Sequence, residues 1–229
     1  MSAGTSGPAA AERFAEQALA LTPDRIPAVV RRRAEDLLVD VVGLCVAARG
    51  TDYMKSVLGA LDASGNCTAI GHATTFGPEQ AALVNGTAAH GEDFDDTFEG
   101  GPVHSSAVIA PAVLAVCERF GRDGAAALIA MVTGIESLCR LSMVIPKAIH
   151  KAGFHPTSIL GTMGATLAAS VAMGLDRLER NARLPQRGHC RKSGRPRTDD
   201  EERQRRVGRS ERRPLPGRLE PAAKLRGHG

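Results

Sequence analysis

Tryptophan is absent, tyrosine occurs once and phenylalanine six times in a chain of 229 residues. So thin an aromatic content excludes a core built on large rings and argues against a β-sandwich, whose strands favour aromatic and β-branched side chains. Cysteine is sparse too, and Cys45, Cys67, Cys117, Cys139 and Cys190 are odd in number, widely spaced and without a Cys-x-x-Cys pair. Neither a disulfide framework nor a zinc ribbon is expected from that spacing. Cys45, Cys117 and Cys139 fall in apolar helical contexts and read as small core residues. No basic stretch followed by an apolar one opens the chain, so no signal peptide is read, and no apolar run is expected to reach the ~20 residues that span a bilayer. A cytoplasmic protein without a membrane partner is the expectation.

The sequence is 43% hydrophobic. With so few rings, that fraction must come from Ala, Leu, Val and Ile, which favour closely packed helices. The net charge of +4 hides a division. Residues 1–180 hold 14 basic and 19 acidic side chains, whereas residues 181–229 hold 15 basic and 6 acidic. An acidic body therefore carries a basic tail. The tail would bind nucleic acid in a salt-dependent, non-specific way, but it has no aromatic residue for base stacking, and a nucleic-acid partner is not expected.

The spacing of apolar residues predicts helices over 10–21, 27–48, 53–61, 79–90, 107–120, 124–144 and 158–173. In the second of these, Val29, Val30, Ala34, Leu37, Leu38, Val41, Val42 and Cys45 define one buried face. Residues 67–71 are expected to be a short strand or an extended connection, and 92–106 a loop rich in Gly, Asp and Pro. The last three helices are apolar on most faces, the signature of an inner layer or of a subunit interface. Beyond Leu175 the periodicity ends. The nine hydrophobic residues between 181 and 229 cannot offset about 1–2 kcal/mol of backbone ordering per residue, so disorder is expected there.

Chemistry-bearing side chains concentrate between His90 and His104, where Glu92, Asp93, Asp95, Asp96 and Glu99 lie between two histidines. A second group comprises Lys147, His150, Lys151 and the corner Gly153-Phe154-His155-Pro156-Thr157-Ser158. There the proline stiffens the backbone after His155, and Thr157 or Ser158 is placed to cap the next helix. Three readings of the acidic cluster are open. Asp93-Phe94-Asp95-Asp96-Thr97 matches the DxDxT pattern of haloacid-dehalogenase-like phosphatases, but it follows a helix end of small residues where that chemistry needs a buried strand. Carboxylates in such number also suit a hard divalent cation. The third reading is metal-free acid–base work, in which a carboxylate-held histidine moves a proton near neutral pH while neighbouring His and Lys charges receive an anion.

The run Ala81-Ala82-Leu83-Val84-Asn85-Gly86-Thr87-Ala88-Ala89-His90, followed by Asp93-Phe94-Asp95-Asp96-Thr97 and Val103-His104, resembles the MmgE/PrpD family. Gly134-Ile135-Glu136 with Arg140 and the Gly153 to Ser158 corner belong to the same resemblance, which extends from about Ala10 to Leu175. It implies an all-α fold, the N-terminal portion of that family's large helical domain, and a lyase that dehydrates, isomerises or decarboxylates a small polycarboxylate such as 2-methylcitrate or cis-aconitate. It further implies catalytic roles for Asp93, His104 and His155, substrate binding by Thr97, no metal, no cofactor, and a homodimer, while His90 and Lys147 are expected to bind substrate as neighbouring charges that receive an anion. Glu136 and Arg140 are expected to form a structural ion pair.

Family members continue into further helices, an α+β lid and substrate-binding lysines, where this chain has the Arg-rich segment. The resulting expectation is a partial helical domain over 1–177 and a disordered tail over 178–229, read as the product of a shifted reading frame. On that reading the chain is truncated and inactive alone. A competing role is that of a non-catalytic helical partner of a full-length homologue.

Overall fold

The apolar pattern that begins at Pro27 becomes a 21-residue helix, Ala28–Ala48, and most other patterns translate as directly. The computed structural model describes residues 10–144 and 146–175. Its helices are α1 (Ala10–Ala20), α2 (Ala28–Ala48), α3 (Asp52–Gly59), α4 (Pro78–His90), α5 (Ser106–Phe120), α6 (Gly124–Val144), α7 (Ala148–Lys151) and α8 (Pro156–Met173). A 3-10 turn, Pro23–Arg25, links α1 to α2. The fold is all-α apart from β1 (Cys67–Thr68) and β2 (Thr75–Phe76), an antiparallel ribbon with Cys67 opposite Phe76 and Thr68 opposite Thr75. The expected tail over 178–229, with Cys190, lies outside the described residues.

One apolar core runs through α2, α3, the ribbon, α4, α5, α6 and α8, with Val41, Met54, Phe76, Val84, Ile109, Val113 and Leu138 fully enclosed. Its inner layer is α5, α6 and α8. A Cβ added at Gly134 would stand 2.8 Å from Ala168 Cβ and 2.9 Å from Ile109 Cγ2, so the absence of a side chain is what lets α6 approach α8 and α5. Pro111 lies inside α5. A proline there removes the N–H that would bond the carbonyl one turn back, and α4 packs on that stretch through Gly86, whose Cβ position is 3.4 Å from Ala107 O. Helices α5 and α8 both stop at a left-handed glycine, Gly121 and Gly174, the usual solution for closing the last turn.

Three expectations need correction. On α2 only Ala34, Val41, Cys45 and Ala48 are buried, whereas Val29, Val30 and Val42 are exposed, because neighbours cover one edge of the apolar stripe and leave the other open. Cys139 is only partly enclosed, while Cys67, not assigned to the core, is wholly buried as the inward-facing residue of β1. Finally, α6 is 21 residues long with a mean hydropathy of 1.6 over its most apolar window, enough by length and composition to cross a bilayer. Glu136 and Arg140, the two charged residues of this helix, pair with each other one turn apart at 2.5 Å, as expected.

Candidate active site

His90 is the last residue of α4, and the chain reverses directly after it. Asp93 makes that reversal possible by taking a left-handed backbone conformation (φ 58°), which aspartate tolerates better than most residues. Its N–H donates to His90 O at 3.0 Å. Gly91 is required for a different reason: a Cβ there would collide with the Tyr53 ring at 2.5 Å. Farther along, the Phe98 N–H donates to Val103 O at 3.0 Å and the two residues form an isolated bridge, which folds the loop back and returns His104 to the end of α4.

The neighbouring aspartates diverge in environment. Asp96 turns toward the start of α5, where its Oδ2 accepts from the Ser105 N–H at 3.3 Å and hydroxyl at 2.5 Å. Its Oδ1 accepts from the Ser106 N–H at 2.8 Å and from the Ser106 hydroxyl. That carboxylate is a helix cap. Asp95 points inward, its side chain 0% exposed, and both of its oxygens face His90 Nδ1, at 3.0 and 3.1 Å. His104 Nδ1 lies 3.4 Å from Asp95 Oδ1, within ion-pair range but misaligned for a hydrogen bond, so this buried nitrogen has no hydrogen-bond partner among the described residues. Asp93, 76% exposed, sits 3.6 Å from His104 Nε2 on the outer side.

A third histidine enters from α8. His155 is the N-cap position of that helix, and its ring centroid lies 6.0 Å from that of His90 and 6.4 Å from that of His104; His90 and His104 are 4.9 Å apart. Thr157 ties the two halves together. Its Oγ1 accepts the His104 backbone N–H at 3.0 Å, so the hydroxyl expected to cap α8 instead anchors the acidic loop. Ser158 does not cap the helix either, since its hydroxyl donates to His155 O at 3.1 Å. The imidazoles gather where α5 and α8 begin; the first N–H groups of α5 are taken by Asp96, whereas the N-terminus of α8 favours an anion through its dipole. An open groove of about 480 Å³ between α4 and α5 reaches His90, lined also by Leu83, Gly86, Thr87 and Val108.

The sequence profile of the MmgE/PrpD N-terminal domain matches residues 12–198. The chain belongs to the MmgE/PrpD family. Among curated relatives, the cis-aconitate decarboxylase-like protein oryM of Aspergillus oryzae is 30% identical over 166 residues, 68% of this chain and 34% of that protein. The cis-aconitate decarboxylase of Mus musculus is 31% identical over 174 residues, 72% of this chain and 35% of the relative. That of Aspergillus terreus is 28% identical over 165 residues, 68% and 34% of the two chains. This MmgE/PrpD chain thus spans about a third of the length of the curated relatives it matches.

Within the MmgE/PrpD chain, the structure gathers His90, Asp93, His104 and His155 as one cluster and adds Asp95, which the sequence reading did not assign. Thr97 is exposed on the same loop with no hydrogen bond among the described residues. Lys147 is exposed in a left-handed conformation (φ 65°) and makes no ion pair or hydrogen bond with the cluster. The signal for Asp95 was its place in a run of three acids, and nothing local separates the buried one from the others. Donor atoms of His90, Asp93, Asp95 and His104 all lie within 4.8 Å of one another, close enough to surround a small cation. The direct histidine–carboxylate approaches account for the same geometry without one.

Proposed function

We propose that this chain carries part of the acid–base site of a lyase acting on a small polycarboxylate. The observation that carries the reading is the convergence of three imidazoles, two of them against one fully buried carboxylate, beside the first residues of α5 and α8. The names of the relatives favour cis-aconitate as substrate and decarboxylation as reaction, with 2-methylcitrate dehydration the alternative. In a decarboxylation the bond to one carboxylate carbon breaks, carbon dioxide leaves, and the carbon that keeps the electron pair takes a proton. His104 or His155 supplies that proton, while Asp93 balances the charge on His104. In a dehydration one ring takes a proton from the carbon beside a carboxylate and another protonates the departing hydroxyl.

Substrate carboxylates are received by the histidines and the N-terminal end of α8, with Thr97 offering a hydroxyl from the loop. Lys147 would join them only by moving. Support for a homodimer comes from the open stripe Val39, Val42 and Val46 on α2, with Val39 72% exposed. Size-exclusion chromatography with light scattering would return a monomer if that stripe is not an interface. The functional reading is tested by titrating the full chain with cis-aconitate and with 2-methylcitrate, following imidazole resonances and product formation by NMR. Saturable shifts at His90, His104 and His155, lost in His104→Gln, are expected. Unshifted imidazoles together with no product from either compound would defeat the proposal.

A further inference from the structure

Asp95 has a burial and a set of neighbours that the roles given to Asp93 and the histidines do not explain. Its carboxylate is wholly enclosed, and among the described residues no Lys or Arg pairs with it. Its polar neighbours are two imidazole nitrogens, His90 Nδ1 at 3.0 Å and His104 Nδ1 at 3.4 Å. Enclosing a carboxylate without compensating donors is strongly unfavourable, so hydrogens must point at it. An unprotonated Nδ1 on His90 would set lone pair against lone pair, and one on His104 would put its negative end 3.4 Å from the carboxylate charge.

We infer that Asp95 is a positioning residue shared by two histidines: its hydrogen bond holds the Nδ1–H tautomer on His90, its buried charge 3.4 Å from His104 Nδ1 favours the same tautomer there without an aligned hydrogen bond, and both Nε2 lone pairs are left able to take a proton. Bidentate approach to both Asp95 oxygens fixes His90 outright. For His104 the competitor is Asp93, facing Nε2 at 3.6 Å. Asp93 is exposed, and water weakens its pull, whereas Asp95 acts from inside the fold. Asp96 does not compete, because both its oxygens are engaged by Ser105 and Ser106. A ring whose Nδ1–H is held by a buried carboxylate is oriented and presents a defined basic nitrogen. His90, first assigned to substrate binding, thereby becomes a second proton acceptor at the site.

The catalytic consequence rests on the lyase reading above, but the tautomers do not. Two-bond proton–nitrogen correlation spectra of the ¹⁵N-labelled full chain, recorded without substrate and with a chelator present, report the protonated nitrogen of each ring. Assignment comes from His90→Gln and His104→Gln. The expected wild-type result is Nδ1–H on both rings. In Asp95→Asn the Nδ1–H form should fall to the minority on both, while Asp93→Asn leaves His90 unchanged. If the chain turns over substrate, Asp95→Asn should lower kcat about 10²–10⁴-fold, the contribution of a positioned general acid or base, with KM little altered. Nε2–H on either ring of the wild type overturns the assignment, and so do unchanged tautomers in a folded Asp95→Asn chain. Should that variant not fold, the wild-type spectrum decides alone. Absence of turnover would fall on the lyase reading, since the spectra by themselves support or overturn the tautomers.

Discussion

Replacing Asp96 by alanine should cost this chain about 3 kcal/mol, although Asp96 belongs to the same acidic run as Asp93 and Asp95. Its carboxylate accepts four hydrogen bonds from Ser105 and Ser106, through both N–H groups and both hydroxyls. Both serines are buried, with 2% and 0% of their surface exposed. Loss of a side-chain N-cap alone costs about 1–2 kcal/mol, and each buried donor left unpaired adds about 1–3 kcal/mol before the hydroxyls re-orient. The sum is not additive, since freed hydroxyls can turn to other acceptors, which brings the expectation down to about 3 kcal/mol. Asp96→Asn keeps one acceptor oxygen and should cost less. Asp93→Asn, at an exposed position whose left-handed backbone asparagine also adopts, should stay within about 0.5 kcal/mol. The assay is urea unfolding followed by far-ultraviolet circular dichroism, because the chain has no tryptophan. A loss below about 1 kcal/mol for Asp96→Ala would show that the cap does not hold α5.

Three further outcomes are expected. The Tyr53 hydroxyl is buried with no partner among the described residues, so Tyr53→Phe should raise stability by about 1 kcal/mol; a loss in the same unfolding assay would mean that the hydroxyl is satisfied. Gly134→Val should destabilise by at least about 2 kcal/mol, since branched carbons would be forced against Ala168 and Ile109, and an unchanged melting temperature would contradict the packing of α6 on α8. Burial pushes the Cys45 and Cys139 thiols up to about 11. Both are thus protonated and unreactive at neutral pH, and their alkylation should rise about tenfold per pH unit between about 7 and 9. Peptide-resolved mass spectrometry would count against this if either were modified at neutral pH as fast as an ordinary exposed thiol.

The helices were legible because a 3.6-residue period is a local property: Val41, Cys45 and Ala48 recur on one face wherever α2 is placed. Family membership was legible for a similar reason, since the motifs from Ala81 to His104 and from Gly153 to Ser158 survive as strings. Periodicity could not say how much of a stripe would be covered. Val29 and Val42 belong to the same stripe as Val41, and only packing by other elements separates the exposed from the buried.

At the site, the residue types and their neighbourhood could be read from the string, but the division of labour could not. Asp93, Asp95 and Asp96 are chemically alike, and a loop imposes no period that sorts them. The left-handed turn at Asp93 and the bridge from Phe98 to Val103 set their directions, leaving one carboxylate in water, one enclosed between imidazoles and one on a helix end. Thr157 reads as a cap beside Pro156, yet its hydroxyl goes to His104, 53 residues away in sequence. Sequence alone determined the helical class, the family and the candidate chemistry, because these depend on neighbours along the chain. Tertiary structure decided which acid serves which histidine, because burial and hydrogen-bond direction arise only when α4, the loop and α8 meet.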